Sequence, residues 1–150
     1  MKKHFFFGLL ACMVVFFTAC QDQVQQVAGT YSYKISGTAI VNSSSVLGNS
    51  SDTVTLSDEI GSMELIPLDS TTAMVTFNAL NGPAYTTQAE IHGKELSLKQ
   101  YERELLVQTK SHHIQASGEG TFYDNTLIIS LHYVGEGVRA DQLTMLCKKN

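Results

Sequence analysis

From Val27 onward, apolar and polar residues alternate with a period of two rather than 3.6, the pattern of half-buried strands. Tyr31, Tyr33 and Ile35 fall on one face, with Ser32 and Lys34 on the other. Val54 and Leu56 repeat the alternation, and Met63 and Leu65 follow Gly61. The run Met74 to Phe77 ends at Asn81-Gly82-Pro83, a strong turn signal. Tyr85, Thr87, Ala89 and Ile91 alternate with Thr86, Gln88 and Glu90, and His92-Gly93-Lys94 reads as a hairpin tip leading to Leu96 and Leu98. Ile114 and Ala116 open a long strand that passes through Gly118 and Gly120 to Phe122, and Asp124-Asn125 turns it. Leu127, Ile129, Leu131 and Tyr133 give the clearest alternation. Gly135-Glu136-Gly137 leads into a last strand carrying Leu143, Met145 and Cys147 on one face.

The pattern predicts about eight or nine strands joined by short turns, an antiparallel meander that closes into a barrel or folds as a two-sheet sandwich. Closure removes the exposed edges that invite aggregation. Gly118 and Gly120 mark where a barrel strand bends or bulges. Tyr101 to Val107 fits either a short helix or a charged strand end. The Ser-, Asn- and Gly-rich stretch from Asn42 to Ser51 predicts a mobile loop at one barrel end.

The first twenty residues follow another rule. Lys2 and Lys3 precede an apolar run from His4 to Ala19, about 16 residues, short of the roughly 20 that span a hydrocarbon core. Thr18-Ala19-Cys20 closes the run, and Gln21 to Gln26 is polar at once. A basic start, a short apolar core and small residues before the break mark an export signal. A cysteine at the break resembles the lipobox of bacterial lipoproteins, in which that cysteine is acylated and becomes the new N-terminus. The reading divides the chain into a lipoprotein signal peptide over 1–19, a polar tether over 20–26 and a barrel domain over 27–150. Lipidation of Cys20 implies anchoring to a membrane, because two or more acyl chains hold a protein stably. The expected address is the outer membrane or cell surface, on its periplasmic or extracellular face.

Composition agrees with one ordinary exported domain. Cys12 leaves with the signal and Cys20 is lipidated, so Cys147 stands alone and no internal disulfide can form. Its alternation with Leu143 and Met145 predicts a small core hydrophobe. Loss of Lys2 and Lys3 takes the net charge from -4 to -6. The remaining basic residues are scattered, which argues against nucleic acid as a partner.

Val27-Ala28-Gly29-Thr30-Tyr31 resembles the opening strand of small calycin-like, lipocalin-like lipoproteins of Bacteroides-type bacteria. Asp52-Thr53-Val54-Thr55-Leu56 sits where their second strand is expected. Gly118-Glu119-Gly120-Thr121-Phe122 followed by Asn125-Thr126-Leu127-Ile128-Ile129 looks like their penultimate hairpin. The chain departs from lipocalins proper in lacking the Gly-x-Trp of their first strand, for it has no tryptophan. The resemblance implies a lipocalin-like barrel of about eight strands, a surface or periplasmic address and no catalytic residues.

The residues offer little catalytic chemistry. His112 and His113 are adjacent, so a regular strand points them to opposite faces and they cannot share a metal. No Cys, His or carboxylate spacing resembles a zinc site. Glu102 and Glu104 share a face if the segment is extended, with Arg103 opposite; a solvated charged turn is the plainer reading. His132 reads as a half-buried structural histidine. There is no Gly-x-Ser-x-Gly, phosphate loop or dinucleotide fingerprint. The expectation is therefore a non-enzymatic protein with no cofactor and no metal. The aromatic residues are more informative. Tyr31, Tyr33, Tyr85, Phe122 and Tyr133 are candidates for a ligand-facing wall, since aromatic walls with a few hydroxyls suit a small apolar or amphipathic molecule; packing of the core is the simpler explanation of them. The leading expectation is a lipid-anchored barrel binding a small ligand. The alternative is a protein-interaction module, an envelope inhibitor or accessory subunit with a packed barrel whose loops make the contacts.

Overall fold

The computed structural model describes residues 23–45 and 48–150. The signal segment, Cys20 and the first residues of the tether lie outside the described residues. Among the described residues, α1 (Gln23–Val27) comes first and is followed by nine strands: β1 (Gly29–Ser45), β2 (Gly48–Thr55), β3 (Glu59–Pro67), β4 (Thr72–Ala79), β5 (Ala84–His92), β6 (Glu95–Val107), β7 (Lys110–Tyr123), β8 (Thr126–Gly135) and β9 (Val138–Lys149). From β3 onward each strand pairs antiparallel with the next, and β9 returns to pair with β1. β1 and β3 to β9 thus close an eight-stranded antiparallel barrel, with β2 attached outside that ring.

β1 serves three neighbours because it is 17 residues long. Gly29 to Ile35 pair with β3, Thr38 to Ser45 pair with β2, and the other edge pairs with β9 from Tyr31↔Lys149 to Val41↔Val138. The exchange from β3 to β2 occurs at Gly37, whose φ of 149° disfavours an L side chain. A Cβ there would also collide with the Gln142 carbonyl and come within 2.8 Å of Leu143 Cδ2. The stretch expected as a mobile loop at Asn42–Ser51 is instead mostly strand: Asn42↔Ser51 and Ser43↔Ser50 are ladder pairs. Ser and Asn carry weak strand propensity, so composition alone favours a loop. The ladder, with a 2.9 Å bond between the Ser43 and Ser50 hydroxyls, overrides it.

Alternation decides which side chains fill the barrel. Met63, Leu65, Val75, Ile91, Leu127, Ile129, Leu131 and Met145 point inward with at most 1% exposure. Their neighbours in sequence face solvent. Each such buried aliphatic side chain contributes about 1.5–3 kcal/mol relative to exposure. Of its two readings, Tyr101 to Val107 takes the strand: it is the second half of β6, alternating buried and exposed. β7 runs through Gly118 and Gly120 in unbroken register with β8. The irregularity lies on their other side, in β6 between Leu98 and Tyr101.

The two barrel ends differ. At one, α1 packs across the opening with Val24 wholly buried, and Gln23 Oε1 accepts a 2.8 Å bond from the Gly93 amide in the β5–β6 turn. The second half of the expected polar tether is therefore a helical turn docked on the barrel. The other end carries the β4–β5, β6–β7 and β8–β9 turns, and there the interior opens.

Candidate functional site

β5 and β6 create the opening. Their backbones pair only from Ala89–His92 to Glu95–Leu98. Beyond the irregularity after Leu98 the strands part, and side chains bridge the gap. The Thr87 hydroxyl donates to the Lys99 carbonyl at 2.8 Å, and the Tyr85 hydroxyl donates to the Glu104 carbonyl at 3.3 Å. The space gained is a cavity of about 600 Å³ whose walls include Ile35, Val54, Leu56, Leu105 and Leu143. Glu59, Tyr85, Arg103 and Tyr133 line it as well.

Arg103 is the centre of this site. β6 turns it inward between Tyr101 and Leu105, so its side chain is only 4% exposed. A charge taken from water needs partners, and Arg103 has several. Its Nη2 forms a close ion pair with Glu59 Oε2, and Nη1 donates to Glu59 Oε1 at 3.4 Å and to the Tyr133 hydroxyl at 2.9 Å. The guanidinium carbon lies 4.6 Å from the centre of the Tyr85 ring and 5.2 Å from that of Tyr133, within cation–π range. Glu59, the first residue of β3, also accepts a 3.0 Å bond from the Tyr33 hydroxyl, and its side chain keeps 26% exposure.

Two packing features fix these groups. Gly61 stands opposite Tyr33 in the β1–β3 register, and a Cβ on it would lie 2.8 Å from the Tyr33 ring carbon and hydroxyl, so glycine makes room for the ring. Phe77 meets Tyr33 edge to face at 6.0 Å and stacks on Tyr101 at 5.8 Å and 21°. Tyr101 is 7% exposed, yet its buried hydroxyl makes no hydrogen bond among the described residues. That hydroxyl points into the same cluster, close enough to Arg103 and Glu59 for their charges to act on it.

Burial raises the pKa of Tyr31 and of Tyr101 to about 12, in Tyr101 against the opposing charge of Arg103. Burial, reinforced for Tyr33 by Glu59, pushes Tyr33 and Tyr133 higher still. A tyrosine neutral in the folded state but ionising near 10 when unfolded stabilises the fold below pH 10, and that contribution is lost as pH rises through the folded value. Stability is therefore expected to fall steeply above pH 10. Ultraviolet titration of tyrosinate should show Tyr31, Tyr33, Tyr101 and Tyr133 resisting ionisation until the barrel unfolds. Smooth titration of all six tyrosines near pH 10 in folded protein would contradict this.

Of the five aromatic candidates, Tyr33, Tyr85 and Tyr133 meet at the open end. Tyr31 and Phe122 do not join them. Tyr31 belongs to the closed end, where its hydroxyl donates to the Val27 carbonyl at 2.6 Å and Lys149 Nζ lies 5.8 Å from its ring centre. Phe122 is buried beside the β5–β6 turn, its amide donating to the Lys94 carbonyl at 2.8 Å. Arg103, Glu59 and Tyr101 were not singled out as site residues from the sequence. The available signal was the single basic residue on the inward phase of β6, between Tyr101 and Leu105. Glu102 and Glu104 do share the outer face, flanking His113 at 3.4 and 4.0 Å. His112 turns inward, as adjacency requires. His132 is on the outer face, 3.7 Å from Asp141. Cys147 is fully buried, and burial pushes its thiol up to about 12, which leaves it inert. Among the described residues, no group of three His, Cys, Asp or Glu side chains is placed to hold a metal ion.

The geometry thus defines a closed antiparallel β-barrel, sealed at one end and open at the other over a buried, paired cation. No protein-family model matches the chain, and no curated protein matches it. Among solved structures it is similar to EF1p2_mFAP2b bound to DFHBI, with a TM-score of 0.51 and 13% identity over 86% of this chain and 98% of that one. Two others score 0.49 over 86% of this chain. These are the redesigned beta barrel b11L5F_LGL, at 11% identity over 96% of its chain, and the redesigned beta barrel mFAP1 bound to DFHBI, at 13% over 100% of its chain. The likeness to EF1p2_mFAP2b is one of fold.

Proposed function

We propose that the chain is a lipid-anchored, non-enzymatic envelope protein that binds a small amphipathic molecule in the open end of its barrel. The observation that carries this reading is the cavity of about 600 Å³, whose lining combines aliphatic and polar side chains with one buried arginine beside Tyr85 and Tyr133. Ligand pockets run from about 300 to 1,000 Å³ and combine apolar walls with a few convergent polar groups. An eight-stranded barrel either fills its interior or leaves room for one small ligand, and the open end favours the second. EF1p2_mFAP2b, which shares the barrel fold, is bound to DFHBI. Exposed Ile60 and Leu106 put apolar side chains at the mouth, which suits a guest with an apolar body. The cavity supports ligand binding over the alternative of a packed barrel that acts through its surface.

The anchor gives the barrel a direction. If Cys20 carries lipid, Gln21 and Asp22 alone separate it from α1, a reach of at most about 3.6 Å per residue. Because α1 covers the closed end, that end faces the bilayer and the mouth faces away, so the guest enters from the aqueous side.

Native mass spectrometry of protein purified from its own cells tests the ligand. The expected result is an added mass that disappears on denaturation; bare polypeptide alone counts against the reading. Labelling with radioactive fatty acid tests the anchor: wild type should take up label and Cys20→Ala should not. Equal labelling of the two removes the lipid anchor.

A further inference from the structure

We propose that the Glu59 carboxylate is a displaceable internal occupant of an anion seat, and that the guest is an amphiphile whose carboxylate takes its place on Arg103. The inference rests on the ligand-binding reading above and names the chemistry of the guest's head.

Three observations meet here. First, the groups that bond Glu59 are all donors, the Arg103 guanidinium and the Tyr33 hydroxyl, and two more hydroxyls, of Tyr133 and Tyr101, lie around Arg103. An arginine fork matches a carboxylate two-to-two, and Glu59 already takes that arrangement through Nη1 and Nη2. Second, the two partners of the ion pair are held unequally. Arg103 is enclosed on β6 between two tyrosine rings at 4% exposure, whereas Glu59 begins β3 at the cavity wall with 26% of its side chain in solvent. Glu59 can therefore leave for water, and Arg103 cannot follow it. Third, the Tyr101 hydroxyl is buried beside Arg103 and, among the described residues, makes no well-formed hydrogen bond. Native structures seldom leave such a group unsatisfied. A head bulkier or deeper than the Glu59 carboxylate would supply the missing acceptor.

Exchange of one carboxylate for another keeps the seat neutral, so entry of the guest buries no unpaired charge. A cationic head would have to approach Arg103 and is disfavoured. A neutral alcohol could use the tyrosines but not the guanidinium charge. The resident Glu59 competes with every anionic guest, so the wild-type seat is set for weak, reversible capture.

Calorimetric titration with decanoate, 1-decanol and decyltrimethylammonium, which share one apolar tail, tests the head preference. Wild type is expected to bind decanoate at least tenfold more tightly than the other two. Glu59→Gln removes the competing charge and should tighten decanoate a further tenfold or more while leaving decanol unchanged. Tyr101→Phe should fold as well as wild type, since it deletes a buried hydroxyl that makes no well-formed hydrogen bond, yet bind decanoate about tenfold more weakly, as loss of one bond to a charged group requires. Equal binding of decanoate and decanol would overturn the anion seat while leaving the ligand-binding cavity standing. Glu59→Gln that folds and binds decanoate no better would overturn the displacement. Should Glu59→Gln fail to fold, an unchanged decanoate affinity in Tyr101→Phe overturns the seat. Binding of none of the three probes to wild type or either variant would overturn the seat and the cavity together.

Discussion

Replacing Glu59 with alanine is expected to lower the stability of the barrel by about 3–5 kcal/mol, a large fraction of what a domain of this size possesses. The reason is the asymmetry of the pair. Without Glu59, Arg103 stays 4% exposed on β6, its charge met by the Tyr133 hydroxyl, the Glu104 carbonyl at 3.4 Å and two ring faces, none of them anionic. The remaining groups cannot replace a carboxylate. The reciprocal change, Arg103→Met, keeps most of the volume and leaves Glu59 free to turn toward the solvent it already touches. Its expected cost is smaller, about 1–3 kcal/mol for lost hydrogen bonds. Urea unfolding followed by circular dichroism measures both. Equal losses would mean that Arg103 reaches water as readily as Glu59 does.

Phe77→Ala is expected to cost about 3–5 kcal/mol, as is usual when a buried phenyl is cut to a methyl. Phe77 is 2% exposed and touches both Tyr33 and Tyr101, so its removal also frees two hydroxyl-bearing rings that line the arginine site. The core and the site share these rings. The variant should therefore lose affinity for any cavity guest beyond what its altered fold population explains. Unfolding midpoints with and without a saturating anionic amphiphile separate the two effects. If the ligand-induced shift equals that of wild type, Phe77 supports the fold but not the site. Phe77→Leu, which retains more of the packing, should recover part of both losses.

Much of the architecture could be read directly from the chain. Period-two alternation places Leu127, Ile129, Leu131 and Tyr133 on the inner face because a pleated strand leaves no other option once one face is buried. The turns at Asn81-Gly82-Pro83 and Asp124-Asn125 follow from residues that tolerate tight backbone geometry. The errors have physical causes too. Asn42 to Ser51 looks like a loop because Ser, Asn and Gly dominate it, yet its two halves, the end of β1 and the start of β2, pair with each other and backbone bonding takes over. Tyr101 to Val107 is ambiguous because Glu102, Arg103 and Glu104 hide the alternation. Only when neighbouring strands fix the phase does Arg103 turn out to be the inward member of the three.

The candidate site was legible in part. Tyr33, Tyr85 and Tyr133 were readable as inward aromatics, but alternation assigns a face and not a height along the barrel. Tyr31 and Phe122 share the inward face and sit at the sealed end. Glu59 could not be connected with Arg103 from the chain, since 44 residues separate them and only barrel closure brings them together.

The sequence by itself determined an antiparallel all-β domain, the inner and outer face of nearly every strand, and the core-facing Cys147. It could do so because strand pattern and turn chemistry are local and repeat every few residues. The tertiary structure decided that the barrel closes between β1 and β9, that α1 seals one end, and that β5 and β6 part at the other to leave a cavity. It also decided that Arg103 is buried and paired. These outcomes depend on volume, register and long-range pairing, which emerge only when strands distant in the chain lie side by side.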